Sequence, residues 1–364
     1  MLGETLEDRR ARPQGSNLVE SELNSARAES EAVVSAPLNF EGSAVAENSD
    51  NVSNIRDVSF RRQPRLWAVG GGKGGVGKSL ISASFSMSLA RRGRKAVAVD
   101  LDLGGANLHT CLGIDPPRVG VGDWSGHRVD DLESLLIPTG EPNLRMISGS
   151  NDSLRVIPQM EERYREFFDK LRLLDADDVI IDLGAGTQDL TVEFFTLTDV
   201  GILSILPEPT SVENAYRFIR AAIYRKLRQA EVPAGIREVI DAATDQKNVL
   251  GIRTPADLFS ILERLDPVAT NSLRDQLKRL EIHIVINQVR SPVDIDVGRA
   301  ICSVCRRYFG VDIHYSGYLD YDNSVWKAVR EKKPVMREYP HSILANRIDR
   351  LTRTLLGEQK GLFP

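Results

Sequence analysis

The chain has 364 residues, 27% of them charged, and a formal net charge of −4 at pH 7. That length permits one large or two ordinary domains, and a mildly negative balance gives no general pull towards nucleic acid or an anionic membrane. Three cysteines exclude a disulfide framework, no apolar run reaches the roughly 18 residues of a spanning helix, and the N-terminus lacks a signal-peptide core, so a cytoplasmic location is expected.

Residues 1–60 are rich in Ser, Glu, Asn and Ala, poor in aromatics and without a sustained period, which is the composition of a disordered acidic arm. From Arg65 onward strand-like runs alternate with helical ones, so 61–364 reads as one α/β domain: a mainly parallel twisted sheet flanked by helices on both faces. Strands are expected at 66–69, 96–99, 144–147, 179–182, 201–206, 282–286 and 313–317. The first leads into Gly72, Lys73, Gly74, Gly75, Val76, Gly77, Lys78 and Ser79, a complete G-x-x-x-x-G-K-S phosphate-binding loop. Its glycines let backbone N–H groups curl around phosphates, Lys78 supplies a point charge, and the Ser79 hydroxyl is placed to ligate Mg²⁺. Ile81, Phe85 and Leu89 then recur every fourth residue, predicting a helix whose N-terminus faces the phosphates and which ends at Gly93.

Ligands of an open α/β sheet sit at the C-terminal ends of its strands, so carboxylates there are candidates for holding metal or orienting water. Asp100 and Asp102 end one such strand, and Asp182 ends another before the turn Gly184, Ala185, Gly186. Further on, Leu206, Pro207, Glu208, Pro209, Thr210 and Ser211 form a proline-stiffened loop with Ser211 as the expected helix cap. Arg217, Arg220, Arg225 and Arg228 share one sector of the next helix, where a solvated face is favoured over a DNA contact. Residues 229–281 read as a helical insertion and partner surface, with helical runs near 256–265 and 273–280. Cys302 and Cys305 form a C-x-x-C pair within helical spacing, more in keeping with packing than with a metal cluster. Leu344, Ile348, Leu351 and Leu355 stripe an amphipathic helix over 342–358, with Arg347, Arg350 and Arg353 off the stripe; packing on a sheet is favoured over a peripheral membrane contact.

Lys73 is one cation more than a loop needs for its own nucleotide. At this point the sequence resembles the MinD/ParA family of deviant Walker A ATPases, whose K-G-G-x-G-K-[ST] pattern is matched residue for residue by 73–79. The resemblance implies binding of ATP and Mg²⁺, slow ATP hydrolysis stimulated by a protein activator or cargo, and a homodimer in which Lys73 reaches the partner's nucleotide. It implies that Asp102 orients the attacking water, that Ser79, Asp100 and Asp182 serve the metal, that Pro207 lies at the nucleotide and dimer face, and that Asn287 reads adenine. The segment P-E-P-T-S is closest to FlhG-type members, which points to the positioning of a flagellum, division site or DNA cargo, although the D-Q-A-x-x-L activation segment of that subtype is missing. An iron–sulfur scaffold using Cys302 and Cys305, or a nucleotide-gated adaptor without turnover, are the alternatives. Asp320 stands where the family has a proline in G-x-[IV]-P-x-D-x-x-V.

Overall fold

The computed structural model describes residues 62–149, 153–244 and 251–358, so the arm read at 1–60 lies outside it. The expected sheet is present. Its strands are β1 (Arg65–Gly70), β2 (Ala96–Leu101), β3 (Ile137–Pro138), β4 (Leu144–Ile147), β5 (Asp178–Leu183), β6 (Val200–Ile205), β7 (Glu281–Val289) and β8 (His314–Asp320). They run in the order β3-β4-β2-β5-β1-β6-β7-β8, parallel except for the β3–β4 pair. The short β3 and the helix Ser153–Leu171 carry no signal used in the sequence reading. The first is only two residues long, and the second lies in a stretch to which no element was assigned.

The central strands are mostly apolar because both sheet faces are covered, with polar residues confined to positions at or near their ends. Side chains alternate between two cores. Leu66 and Ala68 of β1, Val97 and Val99 of β2 and Val179 and Ile181 of β5 face one layer, packed by Ser153–Leu171, Asp189–Thr196, Pro209–Gln229 and the helices of 234–278. Trp67, Val69, Ala96, Ala98 and Ile180 face the other, packed by Lys78–Arg91 and Ile343–Leu355. With a period of two, Asp100 and Asp182 fall on this second face, beneath the helix that leaves the phosphate loop. The same parity puts Ser204 of β6, aligned with Val200 and Ile202, and Asn287 of β7, aligned with Val285, on that face.

The segment 229–281 holds the helices Ala234–Thr244, Pro255–Leu265 and Pro267–Lys278. Thr254 caps the second by accepting from the Asp257 N–H, and Asp266 caps the third by accepting from those of Val268 and Ala269. The helix Ile343–Leu355 is capped by Ser342 and buries Leu344, Ile348, Leu351 and Leu355 against β8 and Lys78–Arg91. Each such side chain withdrawn from water stabilises the fold by about 1.5–3 kcal/mol. Among the described residues no helix is long and apolar enough to cross a membrane.

Candidate active site

Residues 71–77 arch from the end of β1 to the helix Lys78–Arg91. Gly75 and Gly77 take φ values of 77° and 91°, in the left-handed region that glycine alone enters freely. Space is the second reason for glycine here. A Cβ on Gly72 would lie 2.3 Å from the Asn214 carbonyl oxygen, and one on Gly77 would lie 2.2 Å from Asn287 Nδ2. The Lys78 side chain is tucked in, the residue being 7% exposed, whereas the Lys73 side chain is 41% exposed. The Gly186 N–H donates to the Gly71 carbonyl at 3.1 Å, so the glycine-rich turn after β5 is tied to the phosphate loop.

Asp100 and Asp182 are paired across β2 and β5. Asp182 Oδ1 accepts from the Ser82 hydroxyl at 2.9 Å, while its buried Oδ2 has no hydrogen-bond partner. Burial pushes the carboxyl up to about 6, against the pull of the Ser79 and Ser82 hydroxyls and the Lys78 charge. A buried carboxylate oxygen without a donor, beside a serine hydroxyl and a lysine at a phosphate loop, fits the chemistry of a magnesium site. Ser82 was missed in the sequence; its signal is its place on the same helix, one turn beyond Lys78.

Asp100 is held by backbone donors. Its two carboxylate oxygens accept from the Asp102 N–H at 3.1 Å and the Leu108 N–H at 3.0 Å, and it is fully buried. One lone pair on each oxygen is thus engaged by backbone, so Asp100 shapes the turn 101–108. Burial, followed by repulsion from Asp182, drives its carboxyl up to about 7. Asp102 is left partly exposed at the mouth, its Oδ1 3.3 Å from where a Cβ on Gly184 would lie. Strand pairing thus brings Lys78, Ser79, Asp102 and Asp182 to one mouth. Pro207 lies partly exposed just after β6, at the same edge of the sheet.

The Lys73 ammonium sits 3.5 Å from both Glu208 Oε2 and Thr210 Oγ1, on its own chain's proline-stiffened loop. That loop is built differently from the sequence reading. The helix starts at Pro209, and the Ser211 hydroxyl, inside its first turn, accepts from the Leu206 N–H at 3.0 Å, closing the loop in place of capping the helix. Asn287 is likewise held by backbone. Its Nδ2 donates to the Val76 carbonyl at 2.8 Å, its Oδ1 accepts from the Gln288 N–H at 2.8 Å, and the residue is 3% exposed. One amide N–H and one lone pair of the amide oxygen are thus engaged by backbone. Asp320 accepts from Arg347 Nε at 2.6 Å, and so holds the last helix to β8.

Three other features resolve as structure. Cys305 is fully buried in the helix Pro292–Phe309, Cys302 packs beside it, and burial pushes their thiols up to about 12 and about 11. Among the described residues no group of three or more His, Cys, Asp and Glu side chains is placed to hold a metal ion. Arg217 pairs with Glu213, Arg225 with Asp189 and Arg228 with Asp241, while Arg220 lies over the Tyr224 ring, so the arginine sector is largely neutralised. The apolar stripe of Ile343–Leu355 is spent on the sheet and is not available to a membrane.

Comparisons with known proteins agree with this geometry. The ParA family model, described as NUBPL iron-transfer P-loop NTPase, matches residues 64–230. The antiactivator FleN of Pseudomonas aeruginosa is 26% identical over 290 residues, covering 79% of this chain and 85% of FleN. The flagellum site-determining protein YlxH of Helicobacter pylori is 23% identical over 321 residues, covering 86% and 90%. Among solved structures, the septum site-determining protein MinD of Pyrococcus horikoshii, complexed with Mg-ADP, superposes with a TM-score of 0.55 at 22% identity, covering 80% of this chain and 96% of that one. The phosphate loop, the strand order and the aspartates at the strand ends around it agree with the family match: residues 64–230 form a P-loop NTPase domain of the ParA type, in a chain similar to FleN, YlxH and MinD over most of its length.

Proposed function

We propose that this protein is an ATP-driven switch that dimerises around two Mg-ATP molecules, hydrolyses them slowly and separates, and so helps to place a cellular structure. The similarity to FleN and YlxH, over nearly the whole length of each, favours the flagellar apparatus as that structure. The observation that carries the reading is the pairing of a buried Lys78 with a second, half-exposed lysine at position 73 on one phosphate loop. A buried cation suits the chain's own nucleotide; an exposed one, held at 3.5 Å by an exposed carboxylate, is free to exchange it for a stronger anion.

In this reading Lys78 and the loop N–H groups hold the phosphates, and the Ser79 hydroxyl and the Asp182 carboxylate hold magnesium. When bound, the ion neutralises charge on the transferring phosphoryl group. Asp102, partly exposed at the mouth and close to the 184–186 turn, orients water. Lys73 leaves Glu208 for the partner's terminal phosphate.

Sedimentation of the purified protein with saturating Mg-ATP tests this directly. The wild type is expected to run as a dimer with ATP and as a monomer with ADP, and Lys73→Ala to bind ATP but remain monomeric. A Lys73→Ala protein that dimerises as the wild type does would remove the cross-subunit role, and a wild type monomeric in Mg-ATP would remove the switch.

A further inference from the structure

We infer that Ser204 and Asn287 form a two-donor clamp on the phosphate loop, and that Asn287 is a positioning residue for phosphate recognition. This rests on the reading of 72–79 as a nucleotide-binding loop. Both side chains converge on a single atom. The Ser204 hydroxyl donates to the Val76 carbonyl at 2.7 Å and the Asn287 amide to the same oxygen at 2.8 Å, with Ser204 1% and Asn287 3% exposed. A carbonyl oxygen has two lone pairs, so the clamp saturates it.

The consequence follows from peptide geometry. In a planar trans peptide the carbonyl of Val76 and the N–H of Gly77 point in opposite directions. Fixing the oxygen inward, towards the ends of β6 and β7, therefore turns the Gly77 N–H outward, to the side where the loop receives phosphate. The Val76 side chain, fully buried, anchors the same residue from below. Gly77 in its left-handed conformation would place a Cβ 2.2 Å from Asn287 Nδ2, so the closeness of the clamp is itself a reason for glycine at 77. Asn287 is kept in place by its own Oδ1, which accepts from the N–H of Gln288, a residue with a φ of 58°. Two neighbouring strands, each contributing one donor at its C-terminal end, thus convert the sheet's rigidity into a fixed array of N–H groups, which is the requirement for binding an anion without reorganisation.

The clamp and a base-reading role make opposite predictions. Binding of ATP, GTP and inorganic pyrophosphate, each with Mg²⁺, is measured by calorimetry for the wild type, Ser204→Ala, Asn287→Ala and the double variant. Loss of one net hydrogen bond is expected to weaken all three ligands by about the same factor, roughly 5- to 10-fold per single variant. The double variant, which leaves the buried Val76 oxygen with no donor, is expected to lose more than the product of the two factors. Ser204→Thr, which keeps a hydroxyl at 204, should restore affinity. Circular dichroism at the assay temperature establishes that each variant is folded, and Ser204→Ala carries the test alone if Asn287→Ala is not. A loss confined to ATP in Asn287→Ala, or wild-type affinity for all ligands in folded variants, overturns the clamp. Failure of the wild type to bind any of the three overturns instead the nucleotide reading on which it rests.

Discussion

Asp100 and Asp182 are neighbours in one strand pairing, yet their oxygens meet different fates. Those of Asp100 are both bonded to backbone N–H groups, and one of Asp182 is left bare. The difference is one of donors: the turn that follows brings a backbone N–H to each oxygen of Asp100, and no described residue brings one to Oδ2 of Asp182. It also fixes a pH dependence. A carboxyl raised by burial from near 4 to about 7 binds its proton more tightly in the folded chain, so its contribution is fully present below pH 4 and is lost as pH rises towards 7. In the absence of nucleotide and metal, thermal midpoints measured between pH 4 and 7 should therefore fall less steeply with rising pH in Asp100→Asn than in the wild type. Parallel slopes would show that the carboxyl titrates normally.

At the scale of elements, two helices of unlike apolar pattern share one layer, the first buried nearly all round and the second on one face. Lys78–Arg91 lies between the sheet and the last helix, and its serines bond back to the turn before them, Ser82 to the Lys78 carbonyl and Ser86 to that of Ser82. Ile343–Leu355 closes that layer and is tied at its start by the Leu344 N–H to Asp322 and along its length by Arg347 to Asp320. Because Ile348 is fully buried in this layer, Ile348→Ala should cost about 2–5 kcal/mol in a urea unfolding experiment. A cost under about 0.5 kcal/mol would mean that the helix is undocked in solution.

For the molecule as a whole, placing β1 between β5 and β6 brings the phosphate loop within reach of every other functional segment. The turn after β5 bonds to it through Gly186 and Gly71, the end of β6 through Ser204, and the end of β7 through Asn287. The helix Pro209–Gln229 presses its Asn214 backbone against Gly72 and reaches Asp189, after the same turn, through Arg225. The same helix packs against those of 234–278. If Asp102 orients water, Asp102→Ala should retain ATP affinity, lose turnover by about 10²-fold or more and persist as an ATP dimer. Retained turnover in a phosphate-release assay would assign that task to another group.

The sequence by itself determined the loop, the strands and the aspartates, because a phosphate cradle needs glycine at fixed spacings and a doubly covered parallel strand needs uninterrupted apolar residues. Seven strands read from it lie within a few residues of those observed. Spacing along one chain also named Asp100, Asp102 and Asp182 without separating their tasks, since that depends on which donors other strands bring to each oxygen. The C-terminal stripe was legible as apolar, while its partner, the sheet, was a matter of packing. Asn287 is the clearest instance. A single asparagine ending a strand has no local signature of purpose, and only the approach of Val76, 211 positions away in the chain, decides that its amide donates to the loop.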